Sequence, residues 1–420
     1  MTDEMSFDSF NLKPAIVAGI NAMGYTTPTP IQAQAIMPVL SGRDIMCLAQ
    51  TGTGKTAVFV IPILERLLSN PGKGVRALVV APTRELAEQT HDFFQSLGRQ
   101  TRLRSITVYG GVGITPQIDK LRAGADIVIA CPGRLLDHIG QSTINLSGVE
   151  VLVLDEADRM LDMGFLPDIR KILRYLPKKR QTLLFSATMP DGIRQLAMDI
   201  LCNSVVVQVD HTVPLETVSH ALYPVRQHLK TGLLIELLRR TDSESVLVFT
   251  RTKHRAKRIC MQLVNAGFKA ASLQGNLSQN RRKDAMDGFK DGKYQILVAT
   301  DIAARGIDVS SISHVINYDI PDTADAYTHR IGRTGRATKT GDAFTLVTPE
   351  DDAMVRTIER LLGAKLERRM LDRFDYNQPS PPRNVPPARP RRHSEGNTSN
   401  GRSQRRNTGQ RRRGFYGPGM

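Results

Sequence analysis

A chain of 420 residues is longer than one hydrophobic core usually serves, so two domains are expected. Its 57 Lys and Arg against 41 Asp and Glu leave a formal charge of +16, which favours a polyanionic partner. No apolar run approaches the ~20 residues that span a bilayer, the start Met1-Thr2-Asp3-Glu4 carries no basic, apolar signal, and Cys47, Cys131, Cys202 and Cys260 are too scattered for a disulfide framework or a zinc site. The chain reads as soluble and cytoplasmic, with reduced thiols and no membrane partner.

Along the chain, short apolar strands alternate with amphipathic helices, which predicts an α/β fold of mostly parallel sheets flanked by helices. The first strand is expected at Asp44 to Leu48, followed by Ala49-Gln50-Thr51-Gly52-Thr53-Gly54-Lys55-Thr56 and a helical run from Ala57 to Leu68. Further strands are expected at 77–81, 105–108, 127–130, 151–154 and 182–185, and the texture then repeats at 246–249, 270–273, 296–299, 314–317 and 343–347. Between the two series the stretch from Val209 to Ser219 has no clear periodicity. This sets a first domain at 1–210, a linker at 211–219 and a second domain at 220–370. From residue 371 to 420 there are 11 Arg, no Lys and 3 acidic residues among many Pro, Gly, Asn and Ser, the composition of a disordered basic tail.

Two elements carry chemistry. The segment 49–56 is a phosphate-binding loop in its strand-loop-helix context, with Ala49 where the first Gly of the pattern usually stands. Backbone N–H groups and the helix N-terminus would hold phosphates, Lys55 would reach the β- and γ-phosphates, and the Thr56 hydroxyl would sit on Mg²⁺. The second element is Asp155-Glu156-Ala157-Asp158, two adjacent carboxylates just past an apolar strand, where α/β sheets bind ligands. Alone it would read as a solvated acidic loop; beside a phosphate loop it supplies carboxylates for a metal and a water. The pair indicates a nucleoside triphosphatase. A basic segment, His329-Arg330-Ile331-Gly332-Arg333-Thr334-Gly335-Arg336, suits either RNA phosphate or the far side of a γ-phosphate.

With these motifs in order, residues 5 to about 365 resemble the DEAD-box ATP-dependent RNA helicases of superfamily 2, and Met5 to Phe10 together with the basic tail is similar to the bacterial RhlE-type subgroup. The resemblance implies two tandem RecA-like domains that close on ATP and RNA together. It matches Gly24-Tyr25-Thr26-Thr27-Pro28-Thr29-Pro30-Ile31-Gln32 to an adenine-recognition segment, with Gln32 on the base edge and an aromatic such as Phe7 or Tyr25 stacking on the ring. By the same resemblance the ATP contacts include Ala49, Gln50, Thr51, Gly52, Thr53, Gly54, Lys55 and Thr56, with Asp308 at the ribose. Asp155 would hold Mg²⁺ with Thr56, Glu156 would deprotonate the attacking water, and Arg333 and Arg336 would act as arginine fingers beside His329. Ser186 and Thr188 would couple hydrolysis to unwinding. RNA contacts carry over to Pro82, Thr83, Arg84, Gly111, Pro132, Gly133, Arg134, Gly275, Gln279, Arg282 and Thr300.

Such groups grip a sugar-phosphate backbone without reading bases, so RNA specificity should be low. The chain departs from the family at Cys131, where Thr is usual, and at Gln274, where His is common; both concern RNA contacts. The implied activity is RNA-stimulated ATP hydrolysis with local, non-processive melting of short duplexes or remodelling of RNA–protein complexes. The subgroup points to ribosomal or RNA-decay protein partners. A DNA-directed translocase and a non-hydrolysing RNA clamp are the rival readings.

Overall fold

The computed structural model describes residues 6–49, 53–209, 218–241, 243–304, 312–334 and 341–379, without the side chains of Ile302 and Asp325. Two all-parallel sheets organise them. The first contains β1 (Ile45–Leu48), β2 (Ala77–Val80), β3 (Ser105–Val108), β4 (Ile127–Ala130), β5 (Val151–Leu154), β6 (Gln181–Ser186) and β7 (Val205–Gln208), in the order β3-β4-β2-β5-β6-β1-β7. The second contains β8 (Val218–Pro224), β9 (Val246–Phe249), β10 (Ala270–Leu273), β11 (Ile296–Ala299), β12 (His314–Asn317), β13 (Gly341–Val347) and β14 (Glu367–Arg368), ordered β10-β11-β9-β12-β13-β8-β14.

The central strands β2, β4, β5, β9, β11 and β12 are buried along their whole length. Parallel strands covered by helices on both faces read as unbroken apolar runs, which is why sequence located them to the residue or nearly so. Helices supply the layers. The helix Lys55–Ser69, for instance, buries Val58, Ile61 and Leu64 against the first sheet.

Register positions the functional edge. Leu48 pairs with Ser186 and Leu154 with Leu184, so the chain leaves β1, β5 and β6 along the same carboxyl rim. In the second sheet Phe249 pairs with both Ala299 and Asn317, which aligns the exits of β9, β11 and β12.

Three strands lie where none was expected. β7 and β14 are edge strands, and β8 begins inside the stretch assigned to the linker, so residues 218 and 219 belong to the second sheet. Residues 211–217 lie outside the described set, as do 380–420 of the expected tail. The expected start of that tail at residue 371 is corrected. Leu371, Phe374 and Tyr376 pack against the core of the second half, with the two rings edge-on at 4.9 Å. The Tyr376 hydroxyl accepts from Leu371 N at 2.8 Å, Arg240 donates to the Asp372 carbonyl at 2.5 Å, and His228 Nε2 lies 2.8 Å from the Gln378 carbonyl. Two aromatic side chains in eight residues were enough to hold the segment, despite its polar composition.

Truncation after Met370 should therefore cost stability that truncation after Gln378 does not. We expect a loss of about 2 kcal/mol, less than deleting one fully buried ring, read from urea unfolding of the two truncations. Equal midpoints would mean that the strap contributes nothing.

Candidate functional site

The phosphate loop begins where β1 ends, and its ladder continues one residue further through Ala49 N to the Ser186 carbonyl at 3.0 Å. Gly54 caps the helix Lys55–Ser69 at φ 92°, a conformation suited to glycine. A Cβ there would also stand 2.5 Å from Gln32 Nε2. Lys55 is buried, and its Nζ donates to the Ala49 carbonyl at 2.7 Å. Thr56 opens the same helix beside it. Gln50, Thr51 and Gly52 lie outside the described residues.

Thr29 and Gln32 brace this loop from the adjoining helix Pro30–Leu40. Thr29 Oγ1 donates to the Thr53 carbonyl at 2.9 Å and Gln32 Nε2 to the Gly54 carbonyl at 3.1 Å, while Gln32 Oε1 accepts from Thr29 N at 2.9 Å. Both ends of the Gln32 amide are thus engaged by protein in this arrangement. Phe7 is taken up by the core, edge-on to Phe10 and Tyr25, which leaves Tyr25 as the half-buried aromatic of the pair.

Asp155 and Glu156 follow β5. Burial pushes the Asp155 carboxyl up to about 6, against the pull of nearby Lys55. Glu156 adopts φ 51°, a left-handed conformation that costs a non-glycine residue about 1–3 kcal/mol and that clusters at active sites. Its carboxylate pairs with Arg159 one turn later in the short helix Ala157–Asp162.

Asp158, on the same turn, is a site residue that sequence reasoning missed. Its Oδ2 accepts from Ala187 N at 3.2 Å, Thr188 N at 3.0 Å and Thr188 Oγ1 at 3.1 Å. Ser186 Oγ accepts from Asp158 N at 3.2 Å and donates to the Thr188 carbonyl at 2.7 Å. The acidic quartet itself was the available signal, since its last carboxylate opens the short helix that follows Glu156.

Across a cavity of about 510 Å³ the second half presents His329, Arg330 and Arg333 towards Asp158, Arg159 and Thr188. His329 is held neutral-leaning, first by burial and then by the charge of Arg159. Arg333 is buried. Arg336 and Asp308 lie outside the described residues. Arg330, also missed from sequence, binds both Asp301 oxygens at 2.6 and 2.7 Å, the Asn317 side chain at 3.0 Å and the Asp319 carbonyl at 2.7 Å.

Several of the expected RNA contacts are held by hydrogen bonds to neighbouring segments. Thr83 caps the helix Arg84–Leu97, Pro132 opens the helix Pro132–Gly140 with Gly133 and Arg134, and Arg134 donates to the Val112 carbonyl at 3.0 Å. Cys131 precedes Pro132, and burial pushes its thiol up to about 12, so it stays protonated. Arg84 lies over the Tyr109 ring at 5.9 Å and against Gly111, whose added Cβ would fall 1.9 Å from Arg84 Nη2. The two halves meet here. Arg84 Nη1 donates to Gln279 Oε1 at 2.8 Å and Arg282 Nη2 to Glu85 Oε1 at 2.6 Å. Gly275 is exposed nearby in sequence, after the buried Gln274, and Thr300 follows β11 at the rim of the cavity.

Comparison with known proteins agrees with this geometry. Residues 29–196 match the DEAD/DEAH box helicase family and residues 229–338 the helicase conserved C-terminal domain. The DEAD-box ATP-dependent RNA helicase CshA of Bacillus subtilis is 43% identical over 366 residues, covering 87% of this chain and 74% of that one. RhpA of Helicobacter pylori is 41% identical over 374 residues, covering 89% and 76%. Among solved structures, S. cerevisiae Dbp5 bound to RNA and ADP BeF3 superposes with a TM-score of 0.78 at 31% identity, covering 87% of this chain and 95% of that one. Mss116 bound to ssRNA and UDP-BeF gives 0.80 at 29% identity, covering 88% and 81%. The two sheets are tandem RecA-like domains, and the chain belongs to the DEAD-box family of ATP-dependent RNA helicases.

Proposed function

We propose that ATP is bound and cleaved at the shared rim of β1, β5 and β6, facing His329 and Arg333, and that closure on RNA completes this site. The observation that supports it most is the register: adjacent parallel strands bring Lys55, Asp155–Glu156 and Ser186–Thr188 onto one edge, opposite cations carried by the second domain. Lys55 would exchange the Ala49 carbonyl for phosphate oxygen. Glu156 would orient and deprotonate the attacking water, and Arg333 and Arg336 would offset the charge that develops on the transferred phosphoryl group.

The donor set fits Mg²⁺. Asp155 is a buried carboxylate whose raised pKa reflects incomplete compensation of its charge, and the Thr56 hydroxyl opens the adjoining helix. Asp155 and Thr56 would hold the ion beside the nucleotide, where it would supply positive charge to offset that of the phosphates.

RNA would run over Thr83, Arg84, Gly111, Pro132, Gly133 and Arg134 on the first domain and Gly275, Gln279, Arg282 and Thr300 on the second. These are backbone-gripping groups, so recognition would be of the sugar-phosphate chain. A strand bent across both domains cannot remain in a flanking duplex. Opening would be local and non-processive, with hydrolysis permitting release; ribosomal and RNA-decay complexes, in the cytoplasm, are the settings we infer. The deciding assay measures ATP turnover without nucleic acid, with RNA and with single-stranded DNA. Stimulation by RNA alone is expected, and equal stimulation by DNA would overturn the RNA assignment.

Lys55→Ala should weaken ATP binding, because it removes the group that meets the phosphates. Glu156→Gln should bind ATP normally yet turn over about 10²–10⁴ times more slowly, holding RNA in a long-lived complex. Stopped-flow release of labelled RNA reads this directly, and a lifetime no longer than wild type would count against the mechanism. Arg333→Ala should lose roughly 10³ or more in turnover with little change in ATP affinity; near-normal RNA-stimulated turnover would reassign the finger.

Gln32→Ala should weaken every nucleotide somewhat, since Gln32 braces the phosphate loop, but ATP more than GTP or UTP, since a bond pair to adenine is lost as well. Nucleotide competition measures the difference. An equal loss for all three would leave Gln32 with the bracing role alone.

A further inference from the structure

The loop from Tyr109 to Gly113 carries Gly111 at φ 79° and presents an exposed backbone between β3 and the helix Thr115–Arg122. Side chains hold its two ends. Gln117, on that helix, is only 6% exposed although Thr115, Pro116, Asp119 and Lys120 around it are exposed. A polar side chain turned inward from a solvated helix must find partners for all its polar atoms. Gln117 Oε1 accepts from Tyr109 N at 3.0 Å, and Nε2 donates to the Tyr109 carbonyl at 3.2 Å and to the Gly113 carbonyl at 3.1 Å. One amide therefore pairs with both main-chain groups of the loop's first residue and also with its last.

What the loop touches gives this bracing a purpose. The Tyr109 ring lies under the Arg84 guanidinium, and Gly111 leaves the space into which Arg84 Nη2 fits. The Val112 carbonyl accepts from Arg134 Nη1. A shift of an ångström in residues 109–113 would move the seat of Arg84 and the anchor of Arg134 together.

We propose that Gln117 is a positioning residue for RNA binding: it fixes the 109–113 loop so that Arg84 and Arg134 are presented together to consecutive phosphates of one strand. Gln117 itself touches no RNA. The proposal rests on the reading above that Arg84, Gly111 and Arg134 face RNA.

The test uses the full chain and a labelled oligouridine as probe. Gln117→Met keeps the volume and removes all three bonds; Gln117→Glu keeps the acceptor for Tyr109 N and loses both donations. Arg84→Ala serves as the reference for the RNA face. Both Gln117 variants should raise the KM for RNA in the ATPase assay about tenfold, as the loss of two or three hydrogen bonds implies. The kcat at saturating RNA and the KM for ATP should stay within about twofold of wild type, because neither depends on loop placement once RNA is bound. If Arg84→Ala raises the RNA KM and the Gln117 variants do not, the inference fails while the RNA face stands. If Arg84→Ala also leaves it unchanged, the RNA face itself has been misassigned and the proposal falls with it. Parallel losses in ATP KM, kcat and melting temperature, or failure of both variants to fold, would make Gln117 a residue of general stability and overturn the proposal.

Discussion

The Asp158 carboxylate ties the acidic turn after β5 to the segment that follows β6. One carboxylate oxygen, in a side chain only 5% exposed, takes three donors from Ala187 and Thr188, and its own N–H is taken by Ser186. Leaving a buried donor of such a network without its acceptor costs about 1–3 kcal/mol per group. The consequence is mechanical. Glu156 lies two residues away on the same turn, and Thr188 lines the cavity that faces the second domain. The Asp158 bonds thus tie the acidic quartet to the segment that lines this cavity.

The second domain repeats the device with the opposite sign of charge. Arg330 gathers Asp301, Asn317 and the Asp319 carbonyl, and its guanidinium lies 5.0 Å from the Phe249 ring. These partners leave or end three neighbouring strands whose exits register aligns. His329 and Arg333 flank Arg330 on one side, and Thr300 precedes Asp301 on the other. Groups read as acting on ATP and on RNA therefore share one rigid knot. Between the domains, by contrast, Arg84–Gln279 and Glu85–Arg282 are polar, part-buried pairs among residues proposed to meet RNA.

Much of this was legible in sequence, and the strands missed at the sheet edges share a physical cause. The central strands were visible because burial on both faces demands continuous apolar runs. β7 has Val206 at 55% exposure and β14 is the exposed pair Glu367–Arg368; edge strands such as these are held by backbone pairing, to which composition is blind. The motif positions were likewise visible, but not how they are spent on one another. Gln32 binds a carbonyl 22 residues away and Arg84 a side chain 195 residues away, distances over which no local pattern extends. Gln117 and Arg330 sit within helices as ordinary polar residues, and only the fold reveals that each satisfies several buried groups at once.

The departure at Ala49 is explained by the same reasoning. What the loop needs at that position is a carbonyl, which any residue supplies: Lys55, 7% exposed, rests its ammonium on it, and the bond gives a buried charge an acceptor beside the nearby Asp155. An arriving phosphate offers an ionised acceptor in its place, a bond roughly twice as strong as one to a neutral carbonyl. The glycines that matter are those with conformational work to do. Gly54 turns the chain at φ 92° under the Gln32 amide, whereas Ala49 continues the β1 ladder in extended register with Ser186. Nothing in that extended backbone calls for glycine, so alanine fits the position and its methyl group joins the core.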